Sequence, residues 1–422
     1  MTYEKMSRPA LEQALKQEQA RYERFCGLGL KLNMARGKPC REQLALSNEL
    51  LRILSTPKDC FDGGVDARNY GELAGLDCAR AYWADLLGCK KQEVFVGGSA
   101  SLSLMYDTIA KAYTHGLLLS PRPWCREEKV KFLCPTPGYD RHFAITQSFG
   151  AELITVPMLP TGPDMDRVEA LVRDPAVKGM WCVPKYSNPT GCIYSDETIT
   201  RIAALRPAAP DFALMWDNAY CVHEFDGPFR PFPDILSLCR EAGNPHMVYE
   251  FASTSKLTMP GAGMAAFACS EENLRYLLKL IGVQIISYDK VNQLRQVRFL
   301  KDKAHTLEIA RAHGAILAPK FRLIQEKLET LAPLGIARWT QPVGGYFISL
   351  DVLPGTATRV WTLCSQAGVQ LTKAGSAYPY GVDPKDENIR LAPSLPPLEE
   401  LAQAADVLCC AVRLAALEKL LG

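Results

Sequence analysis

Short apolar runs alternate with helix-like stretches through the middle of the chain. The runs lie at residues 94–96, 130–133, 153–156, 180–183, 212–216, 247–251 and 264–267. Strands separated by amphipathic helices are typical of a parallel or mostly parallel sheet that is covered on both faces. Ligands of such sheets bind beyond the carboxyl ends of the strands, so polar residues that follow these runs are the first candidates for chemistry.

The two ends of the chain have a different pattern of apolar and polar residues. The pattern predicts amphipathic helices over 7–26, with Ser7 as cap and Gly27 as stop, and over 398–421, and antiparallel strands over 346–351 and around 389–391. We therefore predict an α/β protein with a large domain over 61–302. The smaller α+β domain is predicted to combine residues 1–60 with residues 303–422.

A lysine follows the apolar run 247–251, in the tetrapeptide Ser253-Thr254-Ser255-Lys256. A protonated amine is a poor nucleophile, so a lysine after a buried strand and beside hydroxyls suggests a desolvated amine that can form a Schiff base. Such a lysine usually serves a carbonyl cofactor. The alternative is a solvated loop, which is the commoner setting for short motifs of this composition.

Three other runs end in polar groups that pyridoxal phosphate requires. Asp217 could keep the pyridine nitrogen of the cofactor protonated, although strand-end aspartates often only begin a loop. The amide of Asn188, in an Asn-Pro-Thr-Gly turn, and the hydroxyl of Tyr220 could donate to the phenolic oxygen. A purely structural turn competes at Asn188. The sequence from Gly97 to Ser101 leads into a helical pattern and could cradle a phosphate.

Together these segments resemble the fold-type I pyridoxal-phosphate aminotransferases, and the similarity covers nearly the whole chain. It rests on the Asn-Pro-Thr-Gly turn, on Asp217 and Tyr220, on Lys256 39 residues after Asp217, and on Asn388-Ile389-Arg390. Further motifs are similar to the bacterial subgroup Ic aspartate aminotransferases, also catalogued with MocR-type proteins. These motifs are Ala35-Arg36-Gly37-Lys38-Pro39, Arg68-Asn69-Tyr70-Gly71, Pro137-Gly138-Tyr139-Asp140-Arg141-His142, Val183-Pro184-Lys185-Tyr186-Ser187-Asn188 and Tyr378-Pro379-Tyr380-Gly381.

The resemblance implies how pyridoxal 5'-phosphate is held. Lys256 carries the internal aldimine and then moves the proton between Cα and C4′, Asp217 pairs with the pyridine nitrogen, and Asn188 and Tyr220 pair with the phenolic oxygen. Tyr139 stacks on the ring, with loop packing as its alternative. The phosphate ligands are Ser99, Ala100, Ser101, Ser253 and Ser255, with Tyr70 from a second subunit, so a homodimer is expected.

The resemblance also implies the substrate contacts. Arg390 clamps the α-carboxylate as a bidentate fork, a geometry that suits a guanidinium. The other substrate-binding residues are expected to be Asn188, Gly37, Arg36 and Lys290. Aspartate or glutamate also needs a cation for the distal carboxylate. The candidates are Arg36, Lys38, Arg141, Lys290, Arg295 and Arg298, each of which could instead be an ordinary surface charge.

One position departs from the family pattern. Many members have an arginine on the cofactor phosphate about eight residues after the lysine, whereas the segment Pro260-Gly261-Ala262-Gly263-Met264 of this chain carries no charge. The phosphate must then be neutralised by a helix dipole and hydroxyls, or by a cation such as Arg36 or Lys38.

Composition narrows the function classes. The chain has 422 residues with 48% hydrophobic side chains, enough for a large core, and its net charge of +2 argues against nucleic-acid binding. Its 15 cysteines form no C-x-x-C pair and its six histidines show no metal-ligand spacing, so we expect reduced thiols, no metal and a cytoplasmic location. No signal core or membrane-spanning run is present.

We therefore predict ping-pong transamination between an L-amino acid, aspartate or glutamate, and a 2-oxo acid. Alternatives are a transaminase for aromatic or aminoadipate-like substrates, a pyridoxal-phosphate lyase, or the effector domain of a MocR-like regulator. The residues before Asn33 can hold only one helix and a turn, which disfavours the regulator because that class carries a winged helix-turn-helix upstream.

Overall fold

The computed structural model describes residues 2–422 and contains thirteen α-helices and fifteen strands. The helices are Arg8–Gly27 (α1), Arg41–Ala45 (α2), Asp77–Leu87 (α3), Ser101–Thr114 (α4), Asp140–Ser148 (α5), Met165–Leu171 (α6), Asp196–Ala203 (α7), Ile235–Glu241 (α8), Glu271–Gln284 (α9), Lys290–Leu300 (α10), Lys303–Leu328 (α11), Ala357–Gln366 (α12) and Leu398–Leu421 (α13). The strands are Leu32–Asn33 (β1), Phe61–Asp62 (β2), Val65–Asp66 (β3), Val94–Val96 (β4), Lys131–Thr136 (β5), Glu152–Leu159 (β6), Gly162–Pro163 (β7), Val177–Cys182 (β8), Ala213–Asp217 (β9), Val248–Ser253 (β10), Ala265–Ala268 (β11), Ala337–Trp339 (β12), Ile348–Val352 (β13), Val369–Gln370 (β14) and Asn388–Leu391 (β15).

The central sheet has eight strands in the order β4-β11-β10-β9-β8-β5-β6-β7. Strands β10, β9, β8, β5 and β6 are mutually parallel, and β11 is antiparallel to both of its neighbours, which gives β4 the direction of β10. The predicted mostly parallel sheet is confirmed. Because β4, β5, β8, β9 and β10 share one direction, their carboxyl ends meet at one edge.

Strand β9 shows why the apolar runs became strands. All of its side chains are buried, as expected where helices cover both faces of a parallel sheet. Its side chains alternate between two separate apolar cores, Leu214 and Trp216 entering one and Ala213 and Met215 the other. The central runs predicted as strands all lie within a few residues of observed strands.

A second, three-stranded antiparallel sheet, β12-β13-β15, lies in the C-terminal part, as predicted. Strand β1 pairs in parallel with β14, so the N-terminal residues join the C-terminal part of the fold. These pairings agree with a smaller unit built from both ends of the chain. The predicted boundaries at residues 60 and 302 stay a prediction.

Some details predicted for the two terminal helices are wrong. Helix α13 spans the predicted residues but is buried on most sides, because α1, α11 and α12 pack around it, so it is not simply amphipathic. In α1, the Ser7 side chain makes no capping hydrogen bond, and Gly27 is the last helical residue instead of the residue after the end.

Two global features concern the cysteines and the helices. All 15 cysteines are free thiols, and Cys409 and Cys410 lie buried in α13, where burial raises the pKa of Cys409 to about 11 and that of Cys410 to about 12. Within residues 2–422, no helix combines the length and the apolar character that a membrane crossing needs.

Candidate active site

A cavity of about 830 Å³ opens at the carboxyl edge of the central sheet, under the C-terminal part of the fold. Nine of the predicted site residues line it: Lys256, Asp217, Asn188, Tyr220, Tyr139, Ser101, Arg390, Arg36 and Gly37. The segments that carry them are far apart in sequence. The common direction of the strands brings them together.

Lys256 lies three residues after β10 and is partly buried. Its Nζ is 4.8 Å from the ring centre of Tyr220 and 5.9 Å from that of Tyr346. Burial lowers the pKa of Lys256, and the nearby Asp217 carboxylate partly raises it. The lowered pKa increases the fraction of neutral, nucleophilic amine at a given pH.

Asp217 ends β9 and is 3% exposed. Its Oδ2 lies 2.9 Å from Nε2 of His142, whereas its buried Oδ1 has no hydrogen-bond partner in residues 2–422. A buried polar atom without a partner costs about 1–3 kcal/mol. The protonated ring nitrogen of pyridoxal phosphate is a donor that would satisfy Oδ1, so this site fits the expected cofactor.

His142 holds the second oxygen of Asp217 and was not assigned a role from the sequence. It lies in α5, and its ring stacks on Trp181 with 4.4 Å between ring centres and 9° between planes. Tyr139, the residue before α5, packs edge-on against the same imidazole at 4.8 Å. Burial raises the pKa of Tyr139 to about 12, so its phenol stays protonated at neutral pH.

Asn188 and Tyr220 line the same cavity as Asp217, and each is 3% exposed. Asn188 follows β8 in a turn closed by a hydrogen bond from Gly191 N to Ser187 O, 2.6 Å. The turn is therefore structural, and it also delivers a side-chain amide to the cavity. Burial raises the pKa of Tyr220, which keeps its hydroxyl available as a donor.

The predicted phosphate ligands come together around the start of α4. Ser253 Oγ donates to Ser255 Oγ at 3.1 Å, and Ser255 Oγ donates to the backbone oxygen of Ser99 at 3.3 Å. Ala100 is the residue before α4, and Ser101 is its first residue. The helix start thus offers backbone N–H groups beside three hydroxyls, a setting that suits a phosphate.

The turn after Lys256 supplies no cation. Met264 is 1% exposed and belongs to the apolar core, so the side chain at the family's arginine position points away from the phosphate ligands. A Cβ atom on Gly263 would lie 2.7 Å from the backbone oxygen of Ser99, which explains why glycine occupies this position. Arg36 and Lys38 are the cations on the cavity wall that the sequence analysis proposed as replacements.

Arg390 lies in β15 and reaches across the cavity to the large sheet. Its Nη1 donates to Asp140 Oδ1 at 2.8 Å and contacts Asn188 Oδ1 at 3.4 Å, and its Nη2 contacts Thr372 Oγ1 at 3.4 Å. The buried Nε has no partner within residues 2–422. Three hydrogen bonds thus fix the guanidinium and leave its Nε N–H without a partner, as expected of a group that awaits a carboxylate.

The six candidate cations for a distal carboxylate separate into two groups. Arg36, Lys38 and Arg141 line the cavity, and Lys373, which the sequence analysis missed, lines it as well. Arg295 and Arg298 lie off the cavity wall, and Arg298 is bound to Asp59 and to the backbone of Phe61.

Lys290 lies beneath the loop that carries Tyr70. It is 3% exposed, and its Nζ donates to Asn69 O at 2.6 Å, Gly71 O at 3.0 Å and Ser287 Oγ at 3.2 Å. These three acceptors take up the three N–H groups of its ammonium. Tyr70 itself is 79% exposed and does not line the cavity of its own chain.

A family model described as aspartate amino-transferase matches residues 6–422. The chain belongs to the aspartate aminotransferase family. An aspartate aminotransferase from Corynebacterium glutamicum is 48% identical over 94% of this chain and 92% of its own length. The crystal structure of an aspartate transaminase from the same species has a TM-score of 0.97, with 45% identity and 99% coverage of both chains.

The same fold occurs in a more distant aminotransferase. The α-aminoadipate aminotransferase LysN from Thermus thermophilus superposes with a TM-score of 0.73 at 23% identity, covering 97% of this chain and 98% of that one. This likeness confirms the predicted fold-type I architecture. The aspartate aminotransferase family depends on pyridoxal 5'-phosphate, so the chain is a pyridoxal-phosphate-dependent aminotransferase.

Proposed function

We propose that this aminotransferase uses dicarboxylic substrates, L-aspartate or L-glutamate, with 2-oxoglutarate or oxaloacetate as the 2-oxo acid. The supporting observation is the charge of the cavity. Arg36, Lys38, Arg141 and Lys373 line it without an ion-pair partner among residues 2–422, in addition to Arg390. The only carboxylates on the wall are Asp140, which holds Arg390, and Asp217.

Pyridoxal phosphate, when bound, supplies an electron-poor ring that accepts the electron pair left at Cα after deprotonation. We assign the protein's part of this chemistry to five side chains. The Nζ of Lys256 attaches the cofactor and later carries the proton from Cα. Asp217 Oδ1 holds the proton on the ring nitrogen, and Asn188 and Tyr220 donate to the phenolic oxygen. Tyr139 covers the ring.

The remaining roles follow from position. Ser99, Ala100, Ser101, Ser253 and Ser255 hold the phosphate. Arg390 Nε and an adjacent N–H bind the α-carboxylate, with Asn188 beside it. Gly37 lets the Arg36 segment pack against Phe347 on the cavity wall, where we expect the substrate, because a Cβ atom there would lie 2.8 Å from the Phe347 ring.

The enzyme is proposed to act as a homodimer in which Tyr70 completes the partner's phosphate site. Tyr70 is 79% exposed, Val283 is 90% exposed and Ile286 is 62% exposed. Val283 and Ile286 lie just before Ser287 in sequence, and the Ser287 hydroxyl accepts from the same Lys290 amine that binds the Tyr70 loop. Apolar side chains exposed together favour a protein interface. The fifteen free thiols support a reducing compartment, the cytoplasm.

The substrate proposal is tested by half-reaction spectroscopy on the holoenzyme. L-aspartate, L-glutamate, L-2-aminoadipate, L-alanine and L-phenylalanine are mixed separately with enzyme, and the change in cofactor absorbance is followed by rapid mixing. Aspartate and glutamate are expected to react at least about tenfold faster than alanine, since one ion pair with a desolvated carboxylate is worth about 1.5–3 kcal/mol. Equal rates for alanine and aspartate would contradict the proposal.

A variant series locates the cation. Arg36→Met, Lys38→Met, Arg141→Met and Lys373→Met remove each charge from the cavity wall. The variant that loses the distal contact is expected to raise the KM for aspartate and leave the alanine reaction unchanged. A faster reaction with 2-aminoadipate than with glutamate would instead favour the aminoadipate alternative, since this substrate carries the same carboxylate on a longer chain.

A further inference from the structure

Three polar side chains lie buried between the Lys256 loop and the N-terminal part of the chain. Gln43 in α2 is 0% exposed, His313 in α11 is 2% exposed, and Tyr346, ahead of β13, is 1% exposed. None of them was singled out by a sequence motif for catalysis. Buried polar groups are retained at a cost unless their hydrogen bonds are satisfied, so their partners are informative.

Every polar atom of the Gln43 side chain is engaged. Its Nε2 donates to the hydroxyl of Tyr346 at 2.9 Å and to Nδ1 of His313 at 3.1 Å. Its Oε1 accepts from the backbone N–H of Cys40 at 3.1 Å. These three bonds fix both the position and the orientation of the amide.

The two acceptors of Gln43 in turn hold the backbone at the catalytic lysine. His313 Nε2 donates to Leu257 O at 3.0 Å, and Tyr346 Oη donates to Lys256 O at 3.4 Å. The imidazole must be neutral for Nδ1 to accept from Gln43, and burial lowers the pKa of His313 accordingly. Two successive carbonyls, those of Lys256 and Leu257, are therefore tied to one amide.

We propose that Gln43 is a positioning residue for Lys256. Through Tyr346 and His313, Gln43 holds the backbone at the lysine so that the lysine amine stays desolvated against Tyr220. The proposal rests on the assignment of Lys256 as the residue that attaches the cofactor. Gln43 also follows closely the Arg36-Gly37-Lys38 segment on the substrate side of the cavity, so the same network connects that segment to the lysine.

The electrostatic surroundings of Lys256 are set by four groups, one of which, Tyr346, also belongs to the Gln43 network. The titratable groups facing its amine are Asp217, Tyr220 and His223, from the end of β9 and the loop after it, and Tyr346. A change at Gln43 leaves all four in the chain. A changed lysine pKa in a Gln43 variant would therefore report altered placement or hydration of the amine.

The experiment measures capture of pyridoxal phosphate by the full-length apoenzyme as a function of pH. The rate constant follows the neutral fraction of Lys256, so its pH midpoint reports the lysine pKa. In Gln43→Leu the loosened backbone lets water reach the amine, so the midpoint is expected to rise by about one pH unit. At low pH the neutral fraction of Lys256, and with it the capture rate, should then fall about tenfold. The plateau at high pH is expected to stay within about twofold of the wild-type value, since there both amines are neutral.

Two further variants make the test specific. Tyr346→Phe removes the bond to Lys256 O and should shift the midpoint in the same direction, and it carries the test if Gln43→Leu does not fold. Gln325→Leu is the matched control, because Gln325 is an α11 amide that bonds Thr340 and Trp339 away from the cavity. This control should leave the midpoint unchanged.

An unchanged midpoint in folded Gln43→Leu and Tyr346→Phe overturns the proposal, as does a rate defect that persists at high pH. Failure of the underlying assignment looks different. In that case peptide mapping after borohydride reduction would find the cofactor of the wild-type enzyme on a lysine other than Lys256.

Discussion

At the scale of single residues, Asp217 shows how a site is prepared before its ligand is bound. One of its carboxylate oxygens is held by His142, and the other is buried without a donor. The first contact fixes the side chain, and the second leaves an acceptor whose partner must come from outside the chain. A structural role alone would explain the first oxygen and not the second.

Asp217→Asn tests this interpretation. The amide has nearly the same shape and can keep its place beside His142, but it cannot hold a proton on the ring nitrogen by charge. We expect the half-reaction with L-aspartate to slow by on the order of 10²-fold or more, as when other charge-stabilising groups are removed from active sites. Rapid-mixing absorbance measures the rate.

Asp211→Asn is the matched control for this change. Asp211 is a buried aspartate just before β9, bound to Lys178, Ser120 and Trp124, so its replacement should lower thermal stability. The half-reaction rate per bound cofactor should stay near the wild-type value. If Asp217→Asn slowed the reaction no more than this control, the pairing of Asp217 with the ring nitrogen would have to be abandoned.

Sequence and structure agree best for residues at strand ends. Lys256, Asp217 and Asn188 each follow an apolar run, so their common edge was predictable from the alternating pattern. The contacts of His142 with Asp217 and of Asp140 with Arg390 join residues 75 and 250 positions apart. Local patterns do not encode such pairs, because nothing near His142 in sequence specifies its partner.

At the scale of elements, a buried acid in β10, Glu250, is bound by the residue that follows the neighbouring strand β9. Asn218, next to Asp217, donates through Nδ2 to Glu250 Oε1 at 2.9 Å. The other oxygen of Glu250 has no partner among the described residues, and burial raises the pKa of Glu250 from its ordinary 4.5 to about 8. The raised pKa favours the protonated form of Glu250 in the native protein at neutral pH.

This raised pKa predicts a pH-dependent stability. Between pH 4.5 and about 8 the native state keeps a proton that the unfolded state releases, so the contribution is complete below pH 4.5 and declines as pH rises. The slope approaches about 1.4 kcal/mol per pH unit in that window. Glu250→Gln should flatten this slope, as measured by urea unfolding between about pH 5 and about pH 8.5.

The control for this prediction is Glu271→Gln, at an exposed position in the first turn of α9. Its unfolding free energy should follow the wild-type pH dependence. A Glu250→Gln variant with the full wild-type slope would show that the buried carboxyl does not keep its proton.

The elements themselves were largely predictable, and the differences have physical reasons. Strand β9 includes Asp217 because its ladder with β10 continues through the register pair Phe251 and Asp217. Helix α13 shows no clean polar face because other helices surround it, and a single sequence does not show how many helices will pack around one.

At the scale of the whole molecule, the cavity lies between two parts of one chain that several hydrogen bonds join. Arg390 binds Asp140, the N–H of Gly138 donates to Ala377 O at 2.8 Å, and the N–H of Leu153 donates to the hydroxyl of Tyr380 at 2.9 Å. Tyr70 and the loop held by Lys290 lie outside this enclosure. Lys290 thus fixes the loop, while the exposed side chain of Tyr70 does not line the cavity of its own chain.

Subunit complementation decides whether Tyr70 acts in the partner's site. On the proposed homodimer, the Tyr70→Ala and Lys256→Ala enzymes are each expected to be nearly inactive, the first through weak phosphate binding and the second through loss of the attachment point. After subunit exchange, a mixed dimer has one site with both Lys256 and the partner's Tyr70. Equal mixing should therefore restore about a quarter of the wild-type activity per site, since half of the dimers are mixed and half of their sites are intact.

The control pairs Lys256→Ala with Asp217→Ala. Both residues lie in the same cavity of one chain, and replacing either side chain leaves a wild-type Tyr70 in that subunit. In a mixed dimer each site then lacks one of the two, so no activity should return. Recovery with the Tyr70 pair but not with this pair would assign Tyr70 to the opposite subunit, whereas absence of recovery after verified exchange would confine Tyr70 to its own chain and remove the structural reason for a shared site.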